Sequence, residues 1–310
     1  MARFILGRLL LAVPVLLGVT VVSFMIIHLI PGNPAQAMLF GSNPTPQQVH
    51  DLENKLGLND PLYVQYFHYM SSLLRGNLGT SFVTGRTVAS EIVSRAPSTF
   101  ALSAAAMLVA ILIGIPLGII GGVAPNSIWD RVGRFVSVSG VAIPFFWLAL
   151  VVTLLFAVRL HWFPAVGTAG PKSMVLPAVA LGWGYAAILT RLLRGRLIEE
   201  YYSEYIKTAR AKGAGGMRVL FNHALRNAAI PTVTMLGLQI GNILTGAAVI
   251  EVIFGRPGLG SFLVHSISAK NIPVVQGTVL FIGVAYVLIN LVVDLLVGII
   301  DPRTRKAATA

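Results

Sequence analysis

The 310-residue sequence contains no cysteine. Disulfides, thiolate nucleophiles and zinc–thiolate sites are therefore excluded, while the compartment stays open. Charge is scarce as well: 11% of residues are charged and 55% are hydrophobic, where a soluble chain carries roughly 25% charged residues. The rarer sign is negative, with 11 acidic residues against 23 basic ones. Catalytic patterns are also missing. No G-x-x-x-x-G-K-[ST] loop is present to cradle phosphates, and neither H-E-x-x-H nor G-x-S-x-G occurs. His28, His50, His68, His161, His223 and His265 are scattered without metal-ligand spacing. Nothing in the residues supports an enzyme, and any ATP driving this chain is hydrolysed elsewhere.

What the chain does have is long apolar runs, with a mean hydropathy of +0.80. Residues 9–30 (LLLAVPVLLGVTVVSFMIIHLI) form the first. Ala35-Gln36-Ala37 imitates a cleavage site, but the run is longer than the about 7–15 residues of a signal peptide. At 1.5 Å per residue it reaches across a hydrocarbon core of roughly 30 Å. Five further spans are predicted at about 99–123, 134–158, 174–194, 229–254 and 274–300. The fold class is an all-α integral membrane protein with six transmembrane helices. Lys and Arg crowd the N-terminus (Arg3, Arg8), the second-to-third connection (Arg131, Arg134), the fourth-to-fifth from Arg191 to Arg226, and the tail (Arg303, Arg305, Lys306). The positive-inside rule then places both ends in the cytoplasm. The net charge of +12 is a topology signal of the same kind, and no nucleic-acid partner is expected.

Two polar regions interrupt the spans. In residues 31–97 charges balance, as they should on the outside. Thr45-Pro46-Gln47-Gln48 is a capping box with proline at the first helical position, and Val49, Leu52 and Leu56 give its helix an apolar stripe that Gly57 ends. Asp60-Pro61 opens a second helix, stopped at Gly76. The other region, SEYIKTARAKGAGGMRVLFNHALRNAAIP (203–231), is the most informative stretch. Glu199, Glu200 and Glu204 come early in its first helix and Lys207, Arg210 and Lys212 late, the order that complements a helix dipole. Gly213 supplies the stop. Thr208, Ala209, Ala211, Ala214, Gly215 and Gly216 are small, so the backbone at this helix end can come close to another surface. A second helix is predicted at about 217–228, with Pro231 opening the next span. A solvated basic loop is the plainer reading of the same charges.

This stretch resembles the cytoplasmic loop of binding-protein-dependent ABC importer permeases, whose pattern is E-A-A, three residues, Gly, nine residues, Ile, x, Leu, Pro. Aligned on Gly213, the family glutamate falls at Lys207 and the alanines at Thr208 and Ala209; the Ile, Leu and Pro positions fall at His223, Leu225 and Arg226. Ala209, Gly213 and Leu225 match. TARAKG followed by HALRNAAIP is the form of the dipeptide/oligopeptide/nickel branch. LGLNDPLYVQYFHYMSSLLRGNLGTSF and the tail LINLVVDLLVGIIDPRTR are similar to the same branch. The resemblance implies a type I importer fold. Its residues 1–97 would form an N-terminal helix plus extracytoplasmic segment, 98–302 the importer transmembrane domain with a coupling loop at about 195–230, and 303–310 a tail. It implies an ATPase-coupling surface of Glu204, Lys207, Thr208, Ala209, Arg210, Lys212, Gly213, Ala214, His223 and Arg226. The implied partners are a homologous second permease, two ABC ATPase subunits that carry the ATP and Mg, and an extracytoplasmic solute-binding protein. The implied location is the bacterial plasma membrane, with peptides, glutathione or nickel chelates as substrates.

Within the spans only Glu251 and Asp294 are acidic, and both fall near span ends. Ion coupling needs carboxylates near the midplane, so energy is expected through the loop. The candidate substrate path is Gln239, Asn242 and Thr245 with Glu251 above them, and Trp183 and Tyr185 beside them; interhelical hydrogen bonding and packing are the alternatives. A stand-alone secondary transporter or channel is the rival reading of the whole chain.

Overall fold

A computed structural model describes residues 2–29, 35–36, 45–55 and 57–300. Among them the backbone is helical throughout, apart from loops and one isolated bridge between Thr80 and Thr87. The helices in order are α1 (Ala2–Leu29), α2 (Pro46–Lys55), α3 (Leu62–Leu74), α4 (Val88–Val123), α5 (Ile128–Ala142) and α6 (Phe145–Val152), which continues as a π-helical turn over Thr153–Arg159. They are followed by α7 (Lys172–Tyr201), α8 (Glu204–Ala211) and α9 (Gly216–Val219), then a π turn at Leu220–Ala224 that runs into α10 (Leu225–Ile253). The last two are α11 (Leu259–Ser268) and α12 (Ile272–Ile300).

Five helices or helix runs are long and apolar enough to cross a membrane alone: Ile5–His28, Val88–Val123, Lys172–Tyr201, Gly216–Ile253 and Ile272–Gly298. The span predicted at 134–158 is instead a pair, α5 and α6, bent by 112°. The bend falls at Ile143-Pro144, where proline caps α6 and leaves Ile143 extended at ψ 120°. Helix directions show that this pair crosses once. Cβ atoms placed at Gly114, Gly118 and Gly122 of α4 would lie 2.8, 2.9 and 2.7 Å from the Cβ atoms of Leu189, Leu193 and Leu197 of α7. Both series rise together, so α4 and α7 run parallel, and one crossing must return the chain between them. The count is six.

The chain divides into two compact units. The first takes residues 2–5, 99–256 and 289–300 of those described, and its core joins Leu102 and Ala106 of α4, Ala149 and Val152 of α6, Leu176, Ala180 and Leu181 of α7, and Ile243, Ala247 and Ile250 of α10. The glycine groove just described belongs to it. Small residues every fourth position let α7's leucine ridge sink into α4, the packing that membranes use in place of a hydrophobic drive between helices. Replacing Gly118 by isoleucine should force these helices apart at a cost of about 1–3 kcal/mol. The expected result is a lower thermal midpoint in detergent. Gly18→Leu is the control, because a side chain at Gly18 meets nothing within 4 Å. Equal midpoints for the two variants would refute the groove.

The second unit takes residues 6–98, as far as they are described, and 257–288. Val88, Ile92 and Ala96 of α4 pack there on Leu259 of α11 and Val274 of α12. Ser23 of α1 donates to the carbonyl of Gln276 at 2.9 Å, while Val19 meets Gly283, so α1 and α12 run antiparallel. The predicted capping box is present: Thr45 N–H donates to Gln48 Oε1 at 2.9 Å and Gln48 N–H to Thr45 Oγ1 at 3.3 Å. Val49 is buried, and Gly57 and Gly76 close α2 and α3 at φ 65° and 74°. The predicted stripe partner Leu56 lies outside the described residues, as do the tail basics Arg303, Arg305 and Lys306.

Candidate functional site: the α8–α9 loop and the α10 face

The loop is built from one anchor and one cap. Ile206, the one large aliphatic side chain of EYIKTARA, is fully buried among Leu193, Leu197, Val219, Leu220, Ala224 and Ala228. That single side chain fixes α8 against the ends of α7 and α10. Gly213 then closes α8 at φ 84°. Its N–H donates to the Arg210 carbonyl at 2.9 Å and that of Ala214 to the Ala209 carbonyl at 3.1 Å, the paired bonds of a Schellman motif. Ala214 turns in against the same apolar cluster. At Gly213, Gly215 and Gly216 an added Cβ would meet nothing within 4 Å. Only Gly213's left-handed backbone requires glycine for internal reasons. The other two leave open space on the outside of the loop.

Charge around this end is mostly local. Lys207 pairs with Glu204 at 2.8 Å, and the Thr208 hydroxyl donates to the Glu204 carbonyl. The Arg210 guanidinium lies 4.5 Å from the centre of the Tyr201 ring. Tyr205 donates to a Glu200 carboxylate oxygen and accepts from Asn227 at 3.0 Å, bracing α8 on both neighbouring helices. Partial burial first, and the Glu200 bond after it, raise its phenol above the ordinary value. Lys207, Arg210, Lys212 and Arg226 are exposed; Ala209 and His223 are half-buried. The predicted helix at 217–228 is corrected: α9, the π turn and α10 are continuous, and Pro231 lies inside α10 rather than at its start. The turn's wider winding absorbs one residue without breaking the backbone bonds. Likewise the helix α7 extends to Tyr201, past residue 194, where the fourth span is predicted to end.

The path residues are split by helix rotation. Asn242 and Thr245 are exposed on α10, on a face shared with Leu238, Val249 and Val252. Gln239 and Glu251 are turned inward. Thr99 donates to Glu251 at 2.5 Å, and the Arg256 N–H donates to the Glu251 carbonyl at 2.8 Å. Both amide atoms of Gln239 are buried with no hydrogen-bond partner among the described residues. Trp183 donates to Ser139 at 3.2 Å, and Tyr185 packs among Ala110, Ala186 and Leu189.

One buried charge cluster escaped sequence reading. Asp130 at the start of α5 is fully buried and receives Arg194 of α7 through Nε at 2.6 Å and Nη2 at 3.2 Å. The Asn126 N–H adds a bond at 2.8 Å, and Arg134 stands 3.6 Å away. The partners are 64 residues apart, and only the meeting of α5 with α7 joins them. Gly121 makes room for the pair: a Cβ there would lie 2.9 Å from Asp130 Oδ1.

Six crossings, glycine-grooved helices and a polar loop rooted in the bundle define a polytopic membrane component of the transporter type. The chain belongs to the family described as binding-protein-dependent transport system inner membrane component, which matches residues 114–306, with the N-terminal component of the same systems matching 1–103. It is 42% identical to the dipeptide transport system permease protein DppB of Alkalihalophilus pseudofirmus, over 98% of this chain and 100% of that one. It is 39% identical to the glutathione transport system permease protein GsiC of Escherichia coli K12, over 98% and 99%. Among solved structures it resembles the inward-facing MetNI methionine ABC transporter with a TM-score of 0.54, at 20% identity over 68% of this chain and 96% of that one. It also resembles an amino acid ABC transporter, with a TM-score of 0.53 at 16% identity over 69% and 94%. These likenesses carry the type I importer permease fold. The protein is thus a multi-pass permease subunit of a binding-protein-dependent importer of the DppB/OppB-like branch, a transport component of a bacterial inner membrane rather than an enzyme.

Proposed function

We propose that this chain forms half of an ATP-driven import pathway for peptides or a related small solute such as glutathione. A homologous permease completes the pathway, two ABC ATPase subunits holding ATP and Mg dock on the loops, and a solute-binding protein delivers substrate from outside. The ends of α1 and α12 face the cytoplasm. Residues 98–302 make the transporting domain, and 1–97 an N-terminal helix with an extracytoplasmic segment. The observation that carries the reading is the loop end: a helix anchored to two spans through Ile206 and closed by Gly213, with empty space over Gly213, Gly215 and Gly216. Such an end can enter a groove and, because it is fixed to α7 and α10, pass motion to them. Around it Glu204, Lys207, Thr208, Ala209, Arg210, Lys212, Ala214, His223 and Arg226 supply the rest of the contact.

The exposure of Asn242 and Thr245 within the otherwise apolar outer face of α10 supports their assignment to the pathway. An amide and a hydroxyl facing lipid would lose hydrogen bonds, whereas facing a wet cavity they keep them. Gln239, Glu251, Trp183 and Tyr185 sit behind that face and shape it. Purification of the tagged chain from cells holding the whole transport system tests the assembly: ATPase subunits are expected to co-elute. Full solute uptake by vesicles containing the lone chain would instead establish the stand-alone transporter.

A further inference from the structure

Helix α3 is amphipathic in the reverse sense to a helix on a water-soluble surface. At 100° per residue, Gln65, His68, Tyr69 and Ser72 share one face and Tyr63, Phe67, Met70 and Leu74 the opposite one. On the polar face Gln65 and Tyr69 are half-buried and His68 and Ser72 exposed, and these four residues border an open cavity of about 310 Å³. Gln65 Nε2 donates to the carbonyls of Leu58 at 3.0 Å and Asp60 at 2.7 Å. The apolar face points out: Tyr63, Phe67 and Leu74 are 76%, 72% and 81% exposed. The helix contains no acidic residue and no Lys or Arg.

Its height along α1 supplies the second observation. Tyr66 shares a hydrogen bond with Thr20 at 2.8 Å, and Tyr69 donates to Ser23 at 3.1 Å. Phe24 packs on both tyrosine rings, with centroids 5.4 and 5.8 Å apart. Thr20 and Ser23 belong to the membrane-crossing stretch Ile5–His28, about 8–12 Å short of its end at 1.5 Å per residue. The neighbouring α1 positions Val21, Val22 and Met25 are exposed and apolar. A helix strapped to a span at that depth does not stand in bulk water.

We propose that α3 is an interfacial helix whose Tyr63–Phe67–Met70–Leu74 stripe is immersed in the membrane boundary, with acyl chains and headgroups as its partner. The occupant fits the chemistry. Aromatic side chains concentrate at the boundary, and an uncharged apolar stripe binds there by its buried area. Gln65 and Tyr69, turned away from the stripe, keep their hydrogen bonds within the protein, as a lipid environment requires. The strap holds α2 and the α2–α3 turn at the membrane surface, so that unit presents a fixed height to whatever approaches it.

The absence of cysteine makes the test clean. Single variants Phe67→Cys and Leu74→Cys, with Tyr63→Cys as a further position should one fail to fold, are nitroxide-labelled in the full chain. They are reconstituted in vesicles of phosphatidylethanolamine and phosphatidylglycerol. Collision with membrane-dissolved oxygen is compared with collision with a water-soluble nickel chelate. Labels on the stripe should match Val22→Cys on α1. Their oxygen-to-chelate ratio should exceed that of Gln47→Cys on α2 on the order of tenfold, because the polar chelate is excluded from lipid. A chelate-accessible stripe like Gln47, or one shielded from both probes by a protein partner, would overturn the proposal.

Discussion

Replacing Gly216 by tryptophan is expected to abolish solute uptake while leaving the protein in the membrane at its normal level. Gly216 opens α9 with an ordinary backbone, and a side chain there meets nothing of the chain itself within 4 Å. The substitution therefore adds an indole only to the outer surface of the loop. If that surface seats in an ATPase groove, the indole occupies space the groove needs. Uptake should fall on the order of tenfold or more, corresponding to at least about 1.4 kcal/mol of lost docking. ATP hydrolysis by the assembled complex should no longer follow transport. Gly213→Ala is a poorer probe, because φ 84° alone strains a residue with a Cβ by about 1–2 kcal/mol. Wild-type uptake by Gly216→Trp would remove the loop end from the coupling path.

Arg194→Ala carries the other large effect. Asp130 has no exposed surface and receives two bonds from Arg194, one of them the shortest to its carboxylate. Removing one member of a buried pair leaves an uncompensated charge, at a cost of about 3–5 kcal/mol. Arg134, 3.6 Å away and half exposed, can swing in and hold the loss toward the lower end. Removing both charges is different: the double variant Asp130→Asn, Arg194→Gln deletes the penalty together with the attraction and should recover most of the loss. Thermal midpoints of the single and double variants in detergent separate these outcomes. A single variant no less stable than the double one would mean that the pair is solvated and merely close. The pair fastens the α4–α5 turn to α7 a few residues before Tyr201, so transport should follow stability here, unlike at Gly216.

Legibility differed from feature to feature for physical reasons. The capping box at Thr45–Gln48 and the stops at Gly57, Gly76 and Gly213 are made within a few residues, and each was readable because its hydrogen bonds close locally. The apolar spans were readable because lipid imposes composition on every residue of a crossing. Pro144 stands inside the run predicted as one span at 134–158, yet the 112° bend there was not legible. A proline at a helix start permits a straight crossing or a sharp one, and the packing decides between them. Here Gly140 of α5 lets Ala187 of α7 approach, so that a Cβ at Gly140 would lie 2.5 Å from it. The path residues show the same limit. Their polarity stood out in an apolar run, but which of them face outward depends on how α10 is rotated. That rotation is set by Ile243, Ala247 and Ile250 in the core.

By itself the sequence determined that the chain lives in lipid, holds apolar runs enough for six crossings and carries a small-residue loop end between two basic stretches. Those are matters of composition, run length and local closure, which no distant contact can change. The tertiary structure alone decided that Ile206 roots the loop in two spans, that Asp130 finds Arg194, and that α3 turns Tyr63, Phe67 and Leu74 outward while Tyr66 and Tyr69 meet α1. Each of these joins residues far apart in the chain, and only the meeting of whole helices brings their side chains within reach.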